Sequence, residues 1–206
     1  MYMFEIELGP IGNKKTFRFD LPHSRKKIGV MVSGGLDSAA LYYLIKKFNI
    51  DNNKQNEIIP IIIFREEGSK THALNVVNYV NNIVNQISSS IKQFDFNKKV
   101  QPHLEVILAT NLSIRQFDNL YIGVIQTRPE HAIGITVYRP TETDKLTYPF
   151  ADLDKSHIVD LISKLHQTKL FGLTISCDKG IDCKTCNGCR ERAWGFETMK
   201  FKDYKI

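Results

Sequence analysis

The chain has 206 residues, 42% of them hydrophobic and 24% charged, with a net charge of +6. That profile supplies a sizeable apolar core and excludes a disordered tail, a collagen-like fibre and a membrane protein. The longest apolar runs, near residues 28–32 and 58–64, fall far short of the ~20 residues of a spanning helix. The first residues alternate apolar with acidic side chains, unlike the basic start and apolar stretch of a signal peptide, so the expected location is the cytoplasm. The positive charge is compatible with a polyphosphate or nucleic-acid partner. The basic residues are scattered, however, with Arg25-Lys26-Lys27 the only dense cluster, and a solvated lysine-rich surface is the simpler account.

In chain order, residues 1–22 predict two short strands around a turn at 9–13. Phe17 and Phe19 alternate with Arg18 and Asp20, the strand period of two. This pair is expected to cap or extend a larger sheet. Residues 28–32 form a wholly apolar strand of the parallel-sheet type. A helix follows over 37–48, with Ala40, Leu41, Leu44, Ile45 and Phe48 at helical spacing. Residues 58–64 predict a second buried strand, and 71–91 a long helix. Residues 104–108 and 120–125 predict the third and fourth strands, 133–138 a further strand or substrate loop, and 156–166 a helix. This alternation predicts an α/β fold: a Rossmann-like, mostly parallel sheet with helices on both faces. The expected divisions are a β-hairpin extension over 1–26, a nucleotide domain over 27–169 and a cysteine-bearing segment over 170–206.

Ligands of such sheets bind beyond the carboxyl ends of the strands. Ser33-Gly34-Gly35-Leu36-Asp37-Ser38 lies at one of those ends. Its glycines permit a sharp turn and close backbone approach. Free N–H groups at the helix start favour an anion such as pyrophosphate. Asp37 fits either as the helix N-cap or as a ligand for Mg²⁺ bridging the phosphates. The bland alternative for the loop is a plain strand-to-helix turn.

Cys177, Cys183, Cys186 and Cys189 form a C-x5-C-x2-C-x2-C pattern. That spacing suits a four-thiolate Zn²⁺ site, which has no open position and is therefore structural. An iron–sulfur cluster is the rival, and disulfides suit neither the spacing nor a cytosolic protein.

The hexapeptide after an apolar strand resembles the pyrophosphate loop of the N-type ATP pyrophosphatases, or PP-loop enzymes. These cleave ATP between the α and β phosphates and adenylate a substrate oxygen. Two further stretches, 149–159 and the tail from Thr174 to Ala193 with its four cysteines, are similar to the 7-cyano-7-deazaguanine synthase family. The similarity covers about residues 27 to 198. It implies a fold of the adenine nucleotide alpha hydrolase type and an ATP-dependent carbon–nitrogen ligase. Such an enzyme adenylates 7-carboxy-7-deazaguanine and, with ammonia, forms the amide and then the nitrile, releasing AMP and PPi. The implied cofactors are ATP, Mg²⁺ and a structural Zn²⁺, and a homodimer is plausible. Ser33, Asp37, Ser38 and Lys155 would carry catalysis, and the loop with Arg65 and His72 would bind the nucleotide. Lys155 would neutralise phosphate charge, or else be an exposed lysine at a helix start. Arg65 would meet phosphate or carboxylate, or form a surface ion pair, and His72 would otherwise be a lone exposed histidine. Arg128, His131, Tyr138 and Arg139 fall in a stretch suited to an acceptor pocket. Arg190 and Arg192 either face the site or anchor the last helix.

Three departures from the family stand out. The first cysteine spacing is x5 where x8 is usual, and residues 1–22 are an extension. Between the strands expected at 104–108 and 120–125 the family has a Gly-Arg-Asn turn and a long helix, whereas 109–119 reads as one or two turns. Asn111 and Arg115 would replace part of it. A diverged enzyme acting on another acceptor (a tRNA base, a DNA-modification substrate or a protein, as in a defence system) is therefore the alternative. A non-enzymatic, zinc-stapled module that recognises nucleic acid is the third.

Overall fold

The computed structural model describes residues 3–23, 25–64, 67–85, 90–95, 102–127, 141–177 and 182–204, without the side chains of 64, 67–69 and 102–106. The expectations for Arg65, Arg128, His131, Tyr138, Arg139 and the stretch 133–138 lie outside the described residues.

The strands are β1 (Phe4–Leu8), β2 (Lys15–Phe19), β3 (Lys27–Met31), β4 (Glu57–Phe64), β5 (Lys92–Asp95), β6 (Asn119–Ile122) and β7 (Leu146–Thr147). The helices are α1 (Leu36–Asp51), α2 (Glu67–Ile83), α3 (Pro102–Ser113), α4 (Lys155–Lys164), α5 (Lys169–Leu173) and α6 (Asn187–Thr198). Five strands form one parallel sheet in the order β5-β4-β3-β6-β7. The chain leaves β3 toward β4 on one side and returns to β6 on the other. A crevice opens at such a reversal, beyond the carboxyl end of the central strand.

Alternate residues of β3 serve two cores. Ile28 and Val30 pack with α1, α2, α4 and the hairpin, while Met31 packs with Ile59, Ile61, Ala109 of α3 and Leu120. The helices thus cover both faces, as the apolar strands required. Helix α1 is buried on most sides, down to Ser38, Lys46 and Asn49.

The hairpin β1–β2 is a separate antiparallel sheet that pairs Ile6 with Phe17 and Phe4 with Phe19. It caps the core: Phe17 lies 5.4 Å from the Phe150 ring and Phe19 lies 5.6 Å from Phe48. Burying each such ring stabilises the fold by about 1.5–3 kcal/mol. Its turn is bolted to α4. The Gly9 N–H donates to Asp160 Oδ2 at 2.8 Å, and His157 Nε2 lies 3.0 Å from the Asn13 carbonyl. Gly9 has φ +104°, and a Cβ there would sit 2.4 Å from the Asn13 carbonyl oxygen and 2.7 Å from His157 Nε2.

Three expected elements differ. Residues 104–108 are not a strand but part of α3, and the third parallel strand is β5 at the sheet edge. A short apolar run such as Leu104–Leu108 suits a buried strand or a helix equally; Pro102 at the first helical position and the continuation to Ser113 decide for the helix. The segment before β6 therefore carries a helix of 12 residues, not one or two turns. Helix α2 begins and ends earlier than 71–91, with Val84 and Asn85 already in a turn and Asn85 at φ +50°.

Lys46 is 1% exposed, and burial lowers its pKa from 10.5 to about 8. Between those values the unfolded chain holds a proton that the folded chain releases, so this group's contribution to stability rises with pH there. Denaturant titrations at pH 8 and pH 10 should show wild type gaining stability relative to Lys46→Met; a constant difference would refute the lowered pKa.

Candidate active site and metal centre

The loop after β3 sits at the reversal of strand order. Gly34 has φ +82°, a conformation that favours glycine. Ser38 Oγ accepts from the Ser33 N–H at 3.1 Å and donates to the Gly35 carbonyl at 3.0 Å, so the two serines brace the turn. Gly35 is the N-cap of α1 and no side chain caps the helix. Its first N–H groups therefore remain available to an anion, reinforced by the helix dipole. A Cβ on Gly123, just past β6, would lie 3.0 Å from the Asp37 carbonyl, so glycine lets the neighbouring strand end pack against the loop. The Ile175 N–H donates to the Gly34 carbonyl at 3.0 Å and ties the loop to the chain entering the cysteine segment.

Asp37 is not the N-cap but lies one residue into α1, and its partner is Lys155. Lys155 Nζ donates to both Asp37 carboxylate oxygens, at 2.7 and 2.6 Å. Lys155 is only 2% exposed, which overturns the exposed-lysine alternative. It opens α4, whose N-cap Asp154 accepts from the Ser156 and His157 N–H groups at 3.0 and 3.3 Å. Burial alone would raise the Asp154 pKa, but hydrogen bonds from His157 and Ser156 carry it well below the usual carboxylate range. A second carboxylate, Glu191 of α6, places Oε2 4.0 Å from Lys155 Nζ. Burial raises its pKa, with Lys155 opposing. Spacing alone offered no signal for Glu191; only its neighbourhood to the cysteines could have drawn notice.

All four cysteine sulfurs lie within 4.8 Å of one another, and the Cys177 and Cys186 sulfurs are 3.9 Å apart. A tetrahedral Zn²⁺ with ~2.3 Å bonds needs sulfurs about 3.8 Å apart, so the four thiols could hold one metal ion. Cys183 is favoured as thiolate, its pKa lowered to about 6 by the Thr185 hydroxyl and by backbone N–H groups. Cys186 is the N-cap of α6 and Cys189 lies in its first turn; burial, with the neighbouring Cys186 and Cys177 thiols, pushes the Cys189 thiol up, so it is a bound metal that would hold it as thiolate.

Arg192 anchors the last helix. It is 1% exposed and donates to both Asp203 carboxylate oxygens, the Thr174 carbonyl and hydroxyl, and the Phe171 carbonyl. Phe196 packs edge-on against Phe171 at 4.7 Å. His72 is half-buried, with Nδ1 3.0 Å from the Leu173 carbonyl.

Residues 121–200 match the family model described as Queuosine biosynthesis protein QueC. The C-terminal part of this chain is QueC-like. The QueC-like part is less than half of the chain; it holds Gly123, Lys155 and the four cysteines, and leaves out the Ser33–Ser38 loop. No curated protein matches the chain. One similar solved structure is the U34-tRNA thiolase NcsA from Methanococcus maripaludis with its 4Fe-4S cluster: 16% identity, 70% of this chain, 58% of that one, TM-score 0.49. Another is PH1313 from Pyrococcus horikoshii Ot3: 14% identity, 74% of this chain, 47% of that one, TM-score 0.40. A third is NAD+ synthetase from Burkholderia pseudomallei: 12% identity, 88% of this chain, 70% of that one, TM-score 0.39. The chain spans less than two thirds of the first two. Among the described residues, no helix is long and apolar enough to cross a membrane.

Cys186→Ser should lose metal and stability together, since binding energy at such a site is folding energy. Metal analysis should fall from about one ion per chain, and the thermal midpoint should drop by more than about 5 °C. A variant that melts like wild type with its metal in place would overturn the four-thiol site.

Proposed function

We propose that the chain is an ATP-using enzyme that adenylates an acceptor oxygen, and that the acceptor is the carboxylate of 7-carboxy-7-deazaguanine. The observation that carries this is the Asp37–Lys155 pair beside an uncapped helix start, at the carboxyl end of the central strand. The QueC-like C-terminal part supports the choice of acceptor.

In this reading Ser33, Gly34, Gly35, Leu36 and Ser38 cradle the pyrophosphate portion of ATP, chiefly through N–H groups at the start of α1. Mg²⁺ held by Asp37 would offset phosphate charge. The acceptor oxygen attacks the α-phosphorus and pyrophosphate leaves. Lys155, shielded from water, meets the charge that develops on the departing oxygens, where a fixed cation is most effective. Ammonia then displaces AMP to give the amide. A second ATP activates the amide oxygen, and loss of AMP leaves the nitrile. Arg65 and His72 belong to the nucleotide's surroundings in the same reading, and the four thiols hold a structural Zn²⁺. An iron–sulfur cubane puts each thiolate on a different iron, and the sulfurs sit close enough here to favour one ion.

A second reading keeps the chemistry and changes the acceptor to a tRNA base, a DNA-modification substrate or a protein. It is favoured by the extent of the family match, which leaves α1, α2 and α3 outside.

The test is PPi release from ATP, Mg²⁺ and ammonium, with and without 7-carboxy-7-deazaguanine, with products read by mass spectrometry. A nitrile is expected; PPi release that ignores the deazaguanine would move the assignment to the second reading. Asp37→Ala should cut PPi release at least about 100-fold when assayed well below its own thermal midpoint, which loss of the buried pair is expected to lower. Retained turnover in that variant would overturn the assignment of the loop.

A further inference from the structure

Helix α6 presents two residues one turn apart, Glu191 and Gly195, to the same side chain. A Cβ on Gly195 would lie 2.7 Å from Lys155 Cγ and 3.0 Å from Lys155 Cβ, so glycine is what lets the helix press on the lysine stem. Glu191 faces the ammonium end, with Oε2 4.0 Å from Nζ. Glu191 is 9% exposed, and its Oε1 makes no hydrogen bond among the described residues. The Lys155 charge and a hydrogen bond from the Thr127 side chain offset part of the burial of this carboxylate, and burying it still costs free energy that packing alone does not return. Lys155 thus has one tight carboxylate partner, Asp37, and one loose one, Glu191.

We infer that Glu191 is a positioning residue that retains the Lys155 ammonium over the loop once Asp37 turns to the metal–phosphate ligand. This rests on the reading of the loop as a pyrophosphate site. While Asp37 accepts two of the ammonium's three hydrogens, Glu191 stands back at 4.0 Å. When Asp37 is engaged elsewhere, Glu191 is the carboxylate left beside the ammonium, and Gly195 leaves its stem no room to swing toward α6. Because Cys186 is the N-cap of α6, the thiol centre sets where Glu191 stands.

Binding of magnesium pyrophosphate, followed by calorimetry, tests this without any acceptor. Glu191→Gln keeps the shape and removes the charge; affinity should fall about 10-fold, with thermal midpoint and metal content unchanged. Glu191→Asp keeps the charge and should remain within about 3-fold of wild type. Lys155→Met should weaken binding by at least as much as Glu191→Gln, and the double variant should be no weaker than Lys155→Met alone, since Glu191 acts only through the lysine. Wild-type affinity in Glu191→Gln, or additive losses in the double variant, would overturn the inference while leaving the loop assignment standing. No pyrophosphate binding by wild type would instead overturn the loop assignment, and the inference with it.

Discussion

The arrangement depends on one buried ion pair. Lys155 comes from the start of α4 and Asp37 from the start of α1, 118 residues apart in sequence. A lysine ammonium taken out of water is costly unless matched, and removing one member of such a pair commonly costs 3–5 kcal/mol. The surrounding structure reads as the means of keeping the two together. The serines brace the turn that presents Asp37, the capping box of Asp154 and His157 fixes the first turn of α4, and Gly195 closes over the lysine stem.

Much of this was legible in the sequence because it is local. The β3–loop–α1 unit follows from an apolar run, two glycines and helical spacing. The four cysteines gave their own grouping, and the hairpin followed from the alternation of Phe17 and Phe19 with charged residues. The assignment of residues 104–108 failed for an equally physical reason: five residues with alternating and helical character alike cannot declare their period. Strand β5, Lys92–Asp95, carries two charges and sits at the sheet edge, so it has little apolar signature to read.

The site was legible only in part. Lys155 and Asp37 stand out singly, one from a resemblance and one from the loop, but nothing in their spacing says that they touch. Glu191 and Gly195 owe their importance to a helix crossing, which sequence does not encode locally. Arg192 likewise reads as one more basic residue beside a cysteine, until the fold shows it binding α5, the Thr174 turn and Asp203 at once.

The strand order has a consequence for how the molecule comes into being. The central strand β3 pairs with β4 nearby in sequence, but its other edge waits for β6, where Ile28 meets Asn119. Closing so long a loop is entropically unfavourable, and sheets built from distant parallel pairings form slowly. A nascent chain that has joined β4 to β3 therefore exposes the other, apolar edge of β3 until β6 is made. Such an edge is open to pairing with other chains. Synthesis at low temperature, or with a chaperone present, should accordingly favour soluble yield more than any improvement to the finished core.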